Sequence, residues 1–245
     1  YFPTDSVVVT IDKKAVAESG MMLPLGPDSI PDKMIISLKD AAQRQGGLYR
    51  SDVMIYEMLA HANWKRPMYM SVTLGGLGNA NFAGLEDFLV LEGLAYRVTP
   101  FKHPRELDGS PRTVIDTEKM YNNLMNRYRY GGLSTPGLYI DETVMRMCYT
   151  HRHLLAQLAM QLIAEGQNAK AEKVLRKAEK VLPEYNVPYT FMSGAADMAR
   201  AYALIGKKAD AARILNKVWA DAKSYADYYL QLTGSRFMMS QNEVL

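Results

Sequence analysis

"LAMQLIAEGQNAKAEKVLRKAEKVLP" (residues 158–183) decides how the second half of the chain folds. Apolar residues recur at helical spacing up to Gly166. A second helical run follows, and Pro183 closes it. Such a stretch is a helix, a glycine-centred turn and a second helix. The pattern returns: Gly206 lies 40 residues after Gly166. The same offset pairs Leu158 with Met198, Ala159 with Ala199, Leu162 with Tyr202, Ala171 with Ala211, Leu175 with Leu215 and Ala178 with Val218. Small residues recur where two helices would touch, large ones where a stripe would be buried. The spacing predicts two hairpins, at about 145–183 and 194–223. Flanking helices are expected over 116–130, in a long helix begun at Asp141, and over 226–232.

This spacing resembles the tetratricopeptide repeat, a family that alternates small and large positions around a turn and ends on Pro. Ala159, Gly166, Ala171, Leu175, Ala178 and Pro183 meet the pattern in register. The second copy departs from it at Val218 and Lys223, and the insertion 184–194 stretches the interval. In such a fold the first helix of each hairpin lines the inner face, the usual polypeptide-binding surface. Arg152, Gln157, Gln161, Asp197 and Arg200 would face it, with Tyr189 and Phe191 of the insertion as aromatic anchors. Polar residues of this kind also form the ordinary outer face of a helix.

Residues 1–115 read differently. Val7, Val9 and Ile11 alternate in an opening strand, and Asp12 is placed to cap a short helix ending near Gly20. Segments 33–40, 68–73 and 94–101 alternate as further strands. Ser51 is placed to cap a helix carrying Ile55, Met58, Leu59 and Ala62 on one face. Phe82, Leu85 and Leu89 share one face of another. The order βαβαβαβ predicts a small, mainly parallel α/β sheet domain over 1–115, followed by an all-α domain over 116–245. The Gly-rich loop 73–84 sits between a strand and a predicted helix. It matches neither G-x-G-x-x-G nor the P-loop pattern and has no Lys, so it reads as a connection.

Of the 245 residues, 48% are hydrophobic and 22% charged, a balance that supports a core without staples. The net charge is +3, and residues 165–223 hold 11 Lys and Arg against 7 Asp and Glu. Acids are interleaved throughout, so no basic stripe marks a nucleic-acid partner. No stretch reaches the length of a membrane span. Cys148 is the single cysteine, on a predicted helix among Met and Tyr. His151 and His153 point to different sides of a helix, and no His, Cys, Asp and Glu fall at ligand spacing, so no metal or other cofactor is expected. Asp141 and Glu142 read as a helix cap. A polar group remains: Glu92, Tyr96 and Arg97, then Asp116, Tyr121, Asn122 and Asn123. Tyr121, Asn122 and Asn123 offer amide donors and acceptors of the kind sugars engage, but the group reads first as a polar seam joining the sheet layer to the helices. No catalytic residue is assigned, because nothing in the group converges on a nucleophile.

The chain opens without Met directly on a strand, "YFPTDSVVVTIDKKAV" (1–16), and reads as a piece of something longer. This opening, with "NWKRPMYM" (63–70), "NFAGLEDFLVLEGLAYRVTPFK" (81–102), "DTEKMYNNLMNRYRYGG" (116–132) and "GLYIDETVMRM" (137–147), resembles a family of large bacterial multispanning membrane proteins. The membrane half of that family is similar to protein O-mannosyltransferases of the GT-C type. The resemblance implies an upstream membrane domain that carries the chemistry. It also implies a periplasmic face of the bacterial inner membrane and an accessory role for this region, with polypeptide bound by the repeats. The alternative is a non-catalytic scaffold for an envelope-protein partner.

Overall fold

The computed structural model describes residues 4–39, 47–74 and 82–233. The chain divides into two compact units, Tyr1–Met120 and Tyr121–Leu245.

In the first unit, strand β1 (Ser6–Thr10) pairs antiparallel with β2 (Lys33–Ser37), in a register that sets Val8 opposite Ile35 and Val9 opposite Met34. The alternation holds: Val9, Met34 and Ile36 are buried, Val8 and Ile35 exposed. Between the strands, helix α1 (Lys13–Glu18) starts where the Asp12 carboxylate accepts from the Ala15 amide at 3.0 Å. Helix α2 (Arg50–Ala62) begins one residue before Ser51; its entry is held by Asp52, which accepts from the Tyr49 amide at 2.9 Å. Its buried side chains are Asp52, Tyr56 and Leu59, while Met58 is exposed. Tyr56 faces inward because its hydroxyl reaches the Ala83 carbonyl at 2.7 Å.

The second sheet corrects the parallel expectation. Its strand order is β3 (Tyr69–Ser71), β5 (Ala95–Val98), β4 (Leu89–Leu91), β6 (Val114–Ile115). The β3–β5 and β4–β5 pairs are antiparallel, and only β4–β6 is parallel. Parallel neighbours need a crossover of a dozen or more residues. Only Glu92, Gly93 and Leu94 separate β4 from β5, so those strands must form a hairpin.

The helix expected after Phe82 is absent for a local reason. Ala83 and Gly84 both adopt the left-handed region, at φ 55° and 74°. The chain then makes a 3-10 turn at Glu86–Phe88 and enters β4. Phe82, Leu85 and Leu89 are all buried, but by a turn and a strand. A continuously apolar run gives no period by which a buried strand can be told from a helix.

In the second unit, helix α3 (Thr117–Asn122), which begins in the first unit, continues as a π-helix over Asn123–Arg127, so the helical run expected over 116–130 is present but ends at Arg127. Helix α4 (Glu142–Ala164) starts at Asp141, whose carboxylate accepts from the Thr143 and Val144 amides. Then come α5 (Asn168–Val181), α6 (Ala195–Leu204) and α7 (Lys208–Leu230). Gly166 and Gly206, at φ 75° and 80°, occupy corresponding turns of the α4–α5 and α6–α7 hairpins. Helix α4 packs against both α5 and α6. Leu158, Ala159, Leu162, Ala171, Leu175 and Ala178 are buried, as are Met198, Ala199, Tyr202, Ala211 and Val218. Leu215 breaks the pairing: it is 45% exposed, and Ile214 takes the buried place beside it. Residues 226–230 do not form a separate helix but extend α7. Ion pairs bridge the hairpins: Arg176 grips Asp210 with both terminal nitrogens, and Arg213 meets Glu179 at 2.8 Å.

Candidate functional site

Of the seven polar residues singled out between positions 92 and 123, four lie in the first unit and three in the second. Glu92 and Arg97 do meet. They flank the β4–β5 hairpin, both are buried, and Arg97 Nη1 lies 3.6 Å from Glu92 Oε1. Two residues absent from the expected set complete the cluster. The Tyr69 hydroxyl donates to Glu92 Oε2 at 2.9 Å, and Lys119 Nζ donates to Glu92 Oε1 at 2.8 Å. The sheet register explains Tyr69: it is the cross-strand partner of Arg97, so both side chains leave the same face. Lys119 arrives because Asp116 starts its helix, accepting from the Lys119 amide at 3.0 Å.

The cluster also closes the end of α1. Arg97 Nη2 donates to the Ser19 carbonyl at 3.0 Å, and Lys119 Nζ donates to the Gly20 carbonyl at 2.8 Å. Among the described residues, Arg97 Nε is buried without a hydrogen-bond partner. Above these groups opens a cleft of about 510 Å³, walled by Glu18, Trp64, Lys65, Tyr69, Arg97 and Lys119.

Tyr96 and Asp116 are structural. Tyr96 packs edge-on against Phe82 at 5.8 Å, and burial pushes its phenol up. Tyr121, Asn122 and Asn123 belong to the second unit and have partners there. Lys170 Nζ sits 5.6 Å from the Tyr121 ring centre, Asn122 accepts from the Asn126 amide group, and the Asn123 carbonyl accepts from the Tyr128 amide.

The residues expected to line a polypeptide groove scatter likewise. Arg152 and Tyr189 are buried. Arg152 donates to the carbonyls of Leu182, Val187 and Pro188, and burial brings its guanidinium down to about 10. A buried arginine without a carboxylate is expensive unless carbonyls satisfy it; these satisfy both terminal nitrogens, while among the described residues Nε has no hydrogen-bond partner. Both residues therefore hold the α5–α6 connection in place and are not presented to a ligand. Gln161 donates to Glu165, Gln157 and Arg200 lie in the open, and Phe191 leans on Tyr225 at 5.0 Å. Asp197 lies 3.5 Å from His153 Nδ1.

His153 marks a groove that the pattern of paired helices did not indicate. It has a volume of about 670 Å³ and is lined by Ile140, Met145, Tyr149, His153 and Met192, with Glu142 and Arg146 at its edge. Met145, Tyr149 and His153 recur every four residues along α4, which is the only sequence signal of this face.

Among the described residues, no group of three or more His, Cys, Asp or Glu is placed to hold a metal ion. Cys148 is buried and its thiol is pushed up, which disfavours the reactive thiolate. The Gly-rich loop lies largely outside the described residues, at 75–81. No described helix is long and apolar enough to cross a membrane.

No curated protein and no solved structure matches this chain. Residues 1–119, just under half of it, match the family model of TMEM260-associated domain 2, and so resemble an accessory domain of a TMEM260-like membrane-protein family.

Proposed function

We propose that this chain is the extracytoplasmic accessory region of a membrane glycosyltransferase similar to the protein O-mannosyltransferases. It faces the periplasm, its own upstream membrane domain carries the chemistry, and its second unit holds acceptor polypeptide. The match of residues 1–119 to a membrane-protein-associated domain supports the accessory role. The chemistry of the first unit agrees with it. Glu92 already accepts from Tyr69 and Lys119, and Asp87 accepts from Arg105 Nε at 2.9 and 3.0 Å. Neither carboxylate is poised as the free acid or base that glycosyl chemistry requires.

The observation that carries the polypeptide reading is the α4 groove. Methionine and tyrosine line its floor, and methionine adapts to varied side chains. Glu142, Arg146, Thr150 and His153 in its lining offer donors and acceptors to a backbone. The two hairpins, read as tetratricopeptide-like repeats, present this face on the first helix of the first pair. The test is site-specific photocrosslinking in the full-length protein in membranes, from position 145 and from position 161. Polypeptide adducts from 145 and not from 161 are expected. Adducts from 161 alone, or from neither, overturn this assignment.

One observation favours a scaffold instead. Leu215, Trp219 and Leu230 form an exposed apolar stripe along α7, with Trp219 67% exposed. Such a stripe suits an envelope-protein partner. Sugar transfer by the full-length membrane protein decides for the enzyme, and its absence with a captured protein complex decides for the scaffold.

A further inference from the structure

We propose that the cleft over Tyr69 in the first unit binds a neutral carbohydrate. Three features of the cleft combine to this end. The first is a platform. Tyr69 is 46% exposed, yet its ring is held by its hydroxyl and lies beneath a cation. Its hydroxyl is bound to Glu92, and the Arg97 guanidinium lies 5.9 Å from its centre. An exposed aromatic ring that is held still loses little freedom on binding, and it offers an apolar face beside a polar edge. That combination fits the C–H face of a pyranose.

The second feature is mixed polarity. Lys65 supplies a donor at the walls, and Glu18 supplies an acceptor. A sugar hydroxyl both donates and accepts, so it can use both. The third is the state of the cations. Arg97 and Lys119 are already turned to Glu92 and to the carbonyls of Ser19 and Gly20. A phosphate would have to displace a carboxylate 2.8 Å from Lys119 and then face two backbone carbonyls. The two cations of the floor, set against one carboxylate and two carbonyls, thus have most of their donors engaged before any ligand arrives, which leaves an uncharged polyol unopposed. The cleft volume of about 510 Å³ accommodates one or two pyranose rings.

This site is separate from the α4 groove and holds whether or not that groove takes polypeptide. The experiment is an amide NMR titration of the 245-residue chain with mannobiose, with cellobiose and with inorganic phosphate. Saturable shifts at Gly20, Lys65 and Tyr69 are expected with at least one disaccharide, with Kd on the order of 1 mM. Tyr69→Ala should weaken that binding about tenfold or more, as loss of a central aromatic anchor does, while Tyr69→Trp should retain it. Phosphate should leave the three amides unmoved. Shifts with phosphate at the same concentrations, no shifts with either disaccharide, or undiminished binding by a folded Tyr69→Ala variant each overturn the proposal.

Discussion

The Arg152 guanidinium carbon lies 4.8 Å from the centre of the Tyr189 ring, and both side chains are buried. Three carbonyls from the α5–α6 connection accept from the two terminal nitrogens of this arginine. An exposed arginine on the inner face of a helical pair would be a contact for a ligand. This one is a pin that fixes one loop to one helix.

Arg152→Ala should therefore destabilise the second unit strongly. It strands three buried carbonyls, each at about 1–3 kcal/mol, and leaves a cavity beside Tyr189. A fall in stability of about 3 kcal/mol or more is expected in urea unfolding. A change below about 1 kcal/mol, the scale of a surface substitution, would show that the side chain is not a pin.

The helical half was legible because its signals are local. Gly166 and Gly206 fix turns, Asp141 fixes a start, and alanines mark close approaches. The sheet was less so. Its pairing follows from the short link Glu92–Gly93–Leu94, visible only once 82–91 is known not to be a helix, and that rests on Ala83 adopting a left-handed conformation. Nothing in an alanine announces positive φ. The Glu92 cluster was half legible for a related reason: Tyr69 joins it through a cross-strand register, and register is a long-range property. The α4 groove was missed because half-buried methionine, tyrosine and histidine at four-residue spacing look the same on a surface helix whether or not a groove runs beside it.

Gly194 and Gly166 share a left-handed φ of 75° but differ in surroundings. A Cβ on Gly166 meets nothing within 4 Å. One on Gly194 would lie 2.9 Å from Cγ and Nδ1 of His153 and 3.0 Å from its backbone nitrogen. Gly166→Ala should cost about 1–2 kcal/mol, the backbone term alone. Gly194→Ala should cost more by about another 1–3 kcal/mol, because the fixed backbone of α4 cannot yield. Thermal unfolding of the two variants measures the difference directly; equal losses would mean the His153 contact is easily relaxed.

Stability should fall on the acid side of neutrality. Burial lowers the pKa of His103, partly opposed by the Asp87 carboxylate, and burial alone lowers that of His151. An unfolded histidine protonates near pH 6.5. Below that pH the unfolded chain binds more protons than the folded one. The stability is thus complete above about pH 6.5 and is lost as pH falls through the folded values. Urea midpoints at pH 7.5 and 5.5 check this. His103→Gln should flatten the dependence of the first unit and His151→Gln that of the second.

The last prediction concerns the one place where the 40-residue offset misleads. Leu175 and Leu215 are equivalent by sequence, but Leu175 is fully buried and Leu215 is 45% exposed. Leu175 faces into its unit because α5 lies beside α4, which packs against it along its length. On α7 the buried line runs through Ala211, Ile214 and Val218, spaced by three and four residues, and Leu215 sits one residue round the helix from it. There it joins Trp219 on the outer stripe. Leu175→Ala should then cost about 2–5 kcal/mol, the range for a large-to-small change in a packed core. Leu215→Ala should cost under about 1 kcal/mol in the isolated chain, since little area leaves contact. Ile214→Ala should reproduce the Leu175 effect. If Leu215→Ala proves as damaging as Leu175→Ala, the helix is rotated from the position described, and Leu215 and Trp219 do not share an exposed outer face.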